Sequence, residues 1–209
     1  MLERSNIGVL FVIGGDGTLK AARKIHEEVE RRGCKIAVIG VPKTIDNDVK
    51  LVTRSFGFDT AVEKATEAIR CAHTEALGAQ NGIGMVKLMG RESGFIAAQA
   101  TLALKEVNYV LVPEDPFELS GEHGLLPSLE KRLQKRGHAV IVVAEGAGQH
   151  LLEQSGRTDA SGNLVLGDIS TLLIGEISDH LKAKGMPFSL KYIDPSYIIR
   201  SVPANANDR

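Results

Sequence analysis

The chain has 209 residues, 43% of them hydrophobic, and its 25 Lys and Arg nearly balance 26 Asp and Glu to leave a net charge of −1. That length suffices for one large domain or two small ones with real cores, and the charge balance gives no reason to expect a nucleic-acid or membrane-surface partner. Cys34 and Cys71 lie far apart without metal-type spacing and read as free thiols of a reducing compartment; no apolar run approaches the ~20 residues that span a bilayer, and "MLERSNIGVLF" lacks a signal-peptide core, so a soluble cytoplasmic protein is expected.

In chain order, "IGVLFVI" (7–13), "KIAVIGV" (35–41), "GIGMVKLM" (82–89), "YVLVPE" (109–114) and "AVIVVAEG" (139–146) are almost continuously apolar. Such runs, rich in Val and Ile and bounded by Gly or Pro, predict strands covered on both faces, as in a parallel sheet. Between the first two, Leu19, Ala22, Ile25 and Val29 recur at helical spacing; between the next two, Phe58, Ala61, Val62, Ala65, Ile69 and Ala72 do so. Leu126, Leu129 and Leu133 mark a further helix, and Leu172, Leu173, Ile177 and Leu181 another. Alternating strands and helices predict an α/β fold. The polar, Gly-rich stretch 153–168 predicts a surface excursion within a domain.

Ligands of open α/β sheets collect at the carboxyl ends of strands, so the residues just beyond each strand are the candidates for a site. The first strand leads into Gly14, Gly15, Asp16, Gly17 and Thr18. Glycines allow close backbone approach to a phosphate, a helix starting near Thr18 offers free N–H groups, and Asp16 suits Mg²⁺. A tight strand-to-helix turn explains the same residues. The second strand leads into Lys43, Thr44, Ile45, Asp46, Asn47 and Asp48. Phosphoryl transfer to a hydroxyl needs a carboxylate base, for which Asp46 is the candidate, with Thr44 and Lys43 for phosphate contact and Asp48 to bind metal or orient the base. A solvated Asx-rich turn is the plain alternative.

The third strand runs into Met89, Gly90, Arg91, Glu92, Ser93 and Gly94. A Gly–Arg pair opening a helix suits a sugar phosphate, because a guanidinium grips phosphate with paired donors. Glu145, flanked by Gly146 and Gly148, ends another strand and suits either sugar hydroxyls or a structural ion pair. "KYIDPSYIIR" adds Lys191, Tyr197 and Arg200, in itself an ordinary kind of surface segment.

Together, "GGDGT", "PKTIDND", "MGRESGFIA", "VAEGAGQ" and "KYIDPSYIIR" resemble the phosphofructokinase family in order and spacing, from about residue 7 to the end. The resemblance implies two Rossmann-like three-layer lobes with mostly parallel sheets, and sites at strand carboxyl ends between the lobes. It divides the chain into 1–60, part of the phosphoryl-donor lobe; 61–195, the fructose 6-phosphate lobe; and 196–209, the start of the return to the donor lobe. The implied activity is transfer of a phosphoryl group, with Mg²⁺, to the 1-hydroxyl of fructose 6-phosphate, a glycolytic step. By position, Asp46 is the implied catalytic base, flanked by Thr44 and Asp48. Asp16 is the Mg²⁺-linked aspartate, and Gly15, Gly17, Thr18 and Lys43 belong with the donor. Met89, Gly90 and Arg91 form the substrate turn, with Arg91 also stabilising transition-state charge. Glu145 holds sugar hydroxyls, and Lys191, Tyr197 and Arg200 grip the 6-phosphate.

Glycine at Gly17 leaves room for the α-phosphate of ATP, whereas Lys43 is the residue of pyrophosphate enzymes. The combination resembles the ATP-using branch of plants and kinetoplastids, so ATP is the expected donor and pyrophosphate the alternative. A non-catalytic sugar-phosphate-binding homologue is a second alternative. Diacylglycerol and NAD kinases share "GGDGT" but not the other motifs. Two departures stand out. The family's N-terminal donor loop and C-terminal elements are not in this sequence, so activity of these residues alone is not implied. Gly82 replaces an arginine that bacterial relatives use across a subunit interface, although a dimer or tetramer is still the implied assembly.

Overall fold

The computed structural model describes residues 1–153, 156–158 and 164–209; the part of the expected surface excursion at 154, 155 and 159–163 lies outside them. Strand β1 (Val9–Gly14), helix α1 (Asp16–Arg31) and strand β2 (Ala37–Pro42) come first. They are followed by α2 (Phe58–Leu77), β3 (Gly82–Leu88), α3 (Phe95–Ala103), β4 (Tyr109–Leu111), α4 (Leu125–Arg136) and β5 (His138–Ala144). Then come α5 (Ile169–Ala183), β6 (Ser189–Ile193) and α6 (Ser196–Ser201). β1 and β2 pair in parallel, and the larger sheet runs β4-β5-β3-β6, parallel throughout.

The larger sheet is the middle of three layers. Val86 and Leu88 of β3 and Val140 and Val142 of β5 face α2 and α3, while Ile83, Met85, Ile141 and Val143 face α4 and α5. Because side chains alternate across a strand, covering both faces makes every position of β3 and β5 apolar or small, apart from Lys87 and His138 at opposite ends. Each fully buried Ile or Leu there contributes about 1.5–3 kcal/mol. On α2, Ala61, Ala65, Ala72 and Ala76 form a buried small-residue face that lets the helix lie close on β3. A Cβ at Gly82 would stand 2.1 Å from the Ala76 carbonyl oxygen. That contact is a physical reason why no arginine side chain fits at position 82.

Three expectations need correction. Among the described residues, α1 is the helix packed on β1 and β2, and the opposite face stays open, with Phe11 and Ile13 64% and 63% exposed. The strand expected over 109–114 stops at Leu111, and a turn follows at Pro113 and Glu114. β6 has no counterpart among the strands expected from sequence. It is a five-residue edge strand in which Lys191 and Tyr192 are exposed, so its sequence lacks the double-sided apolar run. No helix among the described residues is long and apolar enough to cross a membrane, and Cys34 and Cys71 are free thiols.

Candidate active site

At the end of β1, Gly14 is buried, and a Cβ there would meet the Thr18 side chain at 2.5 Å. Gly15 is the extended N-cap of α1, so the helix starts at Asp16, two residues earlier than expected. Asp16, Gly17 and Thr18 therefore form the first turn of α1 and not a loop before it. Their unpaired N–H groups and the helix dipole favour an anion at this end. Asp16 pairs with Lys20 one turn on, at 2.6 Å.

The segment after β2 is held by side chains that the sequence alone did not single out. Ser55 is buried and donates to the Thr44 carbonyl at 2.7 Å. Asn47, at φ 56°, accepts from the Ser55 backbone N–H at 2.8 Å. The Asp46 backbone N–H donates to the Thr44 hydroxyl at 3.2 Å, and the Ser93 hydroxyl of the next motif donates to the Asp46 carbonyl at 3.2 Å. Asp46 Oδ1 is buried without a hydrogen-bond partner among the described residues. Burial, joined by the nearby carboxylates of Asp48 and Glu145 and opposed by Arg91 and the Thr44 hydroxyl, pushes the Asp46 carboxyl up to about 6. A carboxylate tuned toward neutral pH is poised to take a proton.

At the end of β3 the backbone turns sharply, with Gly90 at φ 138° and Arg91 at φ 50°. Glu145 Oε1 accepts the N–H groups of both, at 3.3 Å and 2.8 Å. Gly146 is obligatory beside this turn, since a Cβ there would lie 1.9 Å from the Arg91 carbonyl oxygen. Met89 is buried beneath the turn. The Gly94 N–H, at the start of α3, is held by the Glu114 carboxylate at 2.9 Å.

These pieces converge on two adjoining cavities. One, of about 560 Å³, is lined by Gly15, Asp16, Gly17, Thr18, Thr44, Asp46, Asp48 and Arg91 among others. The other, of about 870 Å³, shares Asp16, Asp48 and Arg91 and adds Lys20, Glu145 and Arg200. Arg91 thus lies on both. Lys43, Lys191 and Tyr197 are exposed and line neither cavity: Lys43 sits in a bridge to Phe56, and Lys191 opposite Gly84 in mid-strand.

Among the described residues, no cluster of three or more His, Cys, Asp or Glu is arranged to hold a metal ion by itself. Asp16 and Asp48 do share a cavity beside the α1 N-terminus. That carboxylate set fits Mg²⁺, which takes one or two carboxylates and completes its shell with phosphate and water.

Comparison with known proteins gives concordant results. The family model described as Phosphofructokinase matches residues 1–209. ATP-dependent 6-phosphofructokinase 1 of Arabidopsis thaliana is 54% identical over 212 residues, covering 99% of this chain and 45% of the relative. The ATP-dependent 6-phosphofructokinase of Trypanosoma brucei brucei is 50% identical, with 99% of this chain and 42% of the relative covered. That of Borreliella burgdorferi is 53% identical, with 99% and 48% covered. The chain therefore spans less than half the length of these relatives. Among solved structures, the pyrophosphate-dependent phosphofructokinase from Nitrosospira multiformis superposes with a TM-score of 0.73 at 22% identity, over 99% of this chain and 50% of that one. At that identity the likeness speaks to the fold, and it matches the parallel α/β architecture expected from sequence.

Proposed function

Since the chain belongs to the phosphofructokinase family, we propose that it carries the substrate lobe and part of the donor lobe of an ATP-dependent 6-phosphofructokinase. The activity is transfer of the ATP γ-phosphoryl group to the 1-hydroxyl of fructose 6-phosphate. The observation that carries this reading is the setting of Asp46. It is a partly buried carboxyl whose Oδ1 has no hydrogen-bond partner among the described residues, pushed up to about 6, in one cavity with Asp16, Gly17 and Arg91.

In this reading, Asp46 accepts the 1-hydroxyl proton as the oxygen attacks phosphorus, and Arg91 stabilises charge on the transferring group. The first turn of α1 receives donor phosphates on its N–H groups. Asp16 and Asp48 would hold Mg²⁺, which when bound screens phosphate charge. Glu145 and the Met89–Gly90–Arg91 turn orient the sugar, and Arg200 takes the 6-phosphate. Lys191 and Tyr197 are assigned to that phosphate by resemblance only. Residues 1–60 are proposed as donor lobe, 61–195 as substrate lobe and 196–209 as the return.

ATP is favoured over pyrophosphate because Gly17 lines the cavity while Lys43 does not, and because the relatives named above are ATP-dependent. The test is fructose 1,6-bisphosphate formation from fructose 6-phosphate and Mg²⁺, with ATP or pyrophosphate offered separately to the full-length polypeptide. Product with ATP alone is expected. Product with pyrophosphate alone would overturn the donor assignment, and product with neither would overturn the activity.

A further inference from the structure

Lys87 is the one polar side chain near the carboxyl end of β3, two residues before Met89. It points to the same sheet face as Ile83 and Met85 but at the rim of that face, where α5 and β6 begin and end. Its Nζ lies 3.1 Å from Asp194 Oδ2, with both side chains mostly covered, at 22% and 33% exposed. The other oxygen of Asp194, Oδ1, accepts from the Ser196 backbone N–H at 3.1 Å and the Ser196 hydroxyl at 2.6 Å. Asp194 is therefore the turn residue that launches α6, and α6 carries Arg200.

The same cluster extends to α5. Tyr192 Oη reaches toward Asp194 Oδ2 at 3.5 Å and lies 3.1 Å from the hydroxyl of Ser170, which is itself bound to Asp168, the N-cap of α5. Burial acting alone would depress the Lys87 pKa; the hydrogen bond to Asp194 and the charges of Tyr192 and Asp194 outweigh it, so the net shift is upward. The ammonium is thus fixed in its charged form by its neighbours.

On the other side, α6 is anchored by Ile199, buried against the core under α2 and β3. Arg200 follows Ile199 directly and lines the larger cavity with Arg91 and Glu145. Two arginines that meet in one cavity thus stand on separate elements. Arg91 follows β3 by backbone, and Arg200 follows α6, whose first turn is tied to β3 by a side-chain pair.

We propose that Lys87 is a positioning residue for the sugar-phosphate site: by holding Asp194 at the start of α6, it fixes the reach of Arg200 relative to the Arg91 turn. The assignment rests on the function proposed above. A mostly covered pair of this kind gives little net stability once desolvation is counted. Its effect is geometric, since a displaced guanidinium loses a charge-assisted hydrogen bond to phosphate, roughly ten- to a hundredfold in affinity. The role belongs to ground-state binding of the substrate and not to the transfer itself, because Lys87 is held by Asp194 and Tyr192 and lines neither cavity.

The experiment compares wild type, Lys87→Met, Lys87→Arg, Asp194→Asn and the double variant Lys87→Met/Asp194→Asn in the full-length polypeptide. It measures kcat, KM for fructose 6-phosphate, KM for ATP and the melting temperature. Lys87→Met is expected to raise the fructose 6-phosphate KM by roughly ten- to a hundredfold, with kcat and the ATP KM within about twofold. Lys87→Arg should recover most of the loss. Asp194→Asn should mimic Lys87→Met, and the double variant should be no worse than the more impaired single one. If Lys87→Met does not fold, Lys87→Arg and Asp194→Asn still read the same coupling. An unchanged KM, a fall in kcat and ATP affinity alongside it, or additive single effects would overturn the positioning role. A wild type that turns over no fructose 6-phosphate would instead overturn the functional reading, and this role with it.

Discussion

Glu145 holds the backbone of Arg91: its Oε1 accepts the Arg91 N–H at 2.8 Å, and the arginine it holds sits at φ 50°. One carboxylate oxygen thus stabilises a left-handed backbone that a β-branched L-residue would resist, and in the proposed site Oε2 is the oxygen assigned to a sugar hydroxyl. Glu145→Gln keeps one acceptor oxygen for the turn, whereas Glu145→Ala removes the acceptor shared by the partly buried Gly90 N–H and the exposed Arg91 N–H, hydrogen bonds to a charged group worth about 1.5–3 kcal/mol. The alanine variant is expected to lose fructose 6-phosphate affinity at least tenfold beyond the glutamine variant, about 1.4 kcal/mol. Equal losses in titration calorimetry would show that Glu145 acts on substrate alone.

Gly146→Ala places a Cβ 1.9 Å from the Arg91 carbonyl oxygen. Overpacking of this kind costs about 1–3 kcal/mol, and here the strain falls on the substrate turn. The expected result is a folded protein with little fructose 6-phosphate turnover. Near-normal KM in a steady-state assay would mean that the turn tolerates displacement.

For Asp46 the pH dependence has a definite sign. Its carboxyl is pushed up to about 6 by burial and by Asp48 and Glu145, so kcat/KM should fall below about pH 6, well above the ordinary carboxylate range. A raised carboxyl pKa means that the native state binds the proton more tightly than the unfolded chain. Stability therefore declines as pH rises from about 4 to about 6, by roughly 3 kcal/mol at most, and the penalty is absent below the unfolded pKa. Asp46→Asn removes that penalty. It is expected to raise the melting temperature at pH 8 while lowering kcat by about 10²- to 10⁴-fold. Unaltered kcat would remove Asp46 from the role of base.

Gly17 bears on the donor. In the first turn of α1, beside Asp16 and in the smaller cavity, an aspartate would add a second negative charge where the proposed nucleotide phosphate would lie. Gly17→Asp should raise the ATP KM by roughly tenfold or more through like-charge repulsion, with the fructose 6-phosphate KM much less affected. An unchanged ATP KM would locate the nucleotide elsewhere.

Asp208, near the end of the chain, caps the start of α2. It accepts from the Gly57 and Thr60 N–H groups at 2.8 Å and 2.7 Å, and from the Thr60 hydroxyl at 2.6 Å. The Asp208→Ala variant should lose about 0.5–2 kcal/mol of stability, as for other lost helix caps. Burial alone would raise the Asp208 pKa, but the Thr60 hydroxyl and the two N–H groups outweigh it and hold the carboxyl below its ordinary value. Its contribution is therefore present above the ordinary carboxylate range and lost as pH falls through it. Urea unfolding of both forms at pH 7 and pH 3 should show the gap closing at the lower pH.

Residue pattern was enough to establish the layering of the larger sheet, because β3 and β5 must be apolar on both faces when helices cover both, and that double pattern shows in "GIGMVKLM" and "AVIVVAEG". It was also enough to locate the motifs carrying Asp16, Asp46, Arg91 and Glu145, which the folded chain brings to two adjoining cavities. Relationships between distant segments were a different matter and emerged from the folded molecule. Ser55 holding the Asp46 segment, Asp208 capping α2 and Lys87 meeting Asp194 involve ordinary polar residues with no periodic or local signature. Strand β6 belongs to the same class, as a short edge strand gains its stability from pairing with β3 and not from its own pattern. Local residue type decided which groups are candidates for the chemistry, and packing across the sheet decided where each of them points.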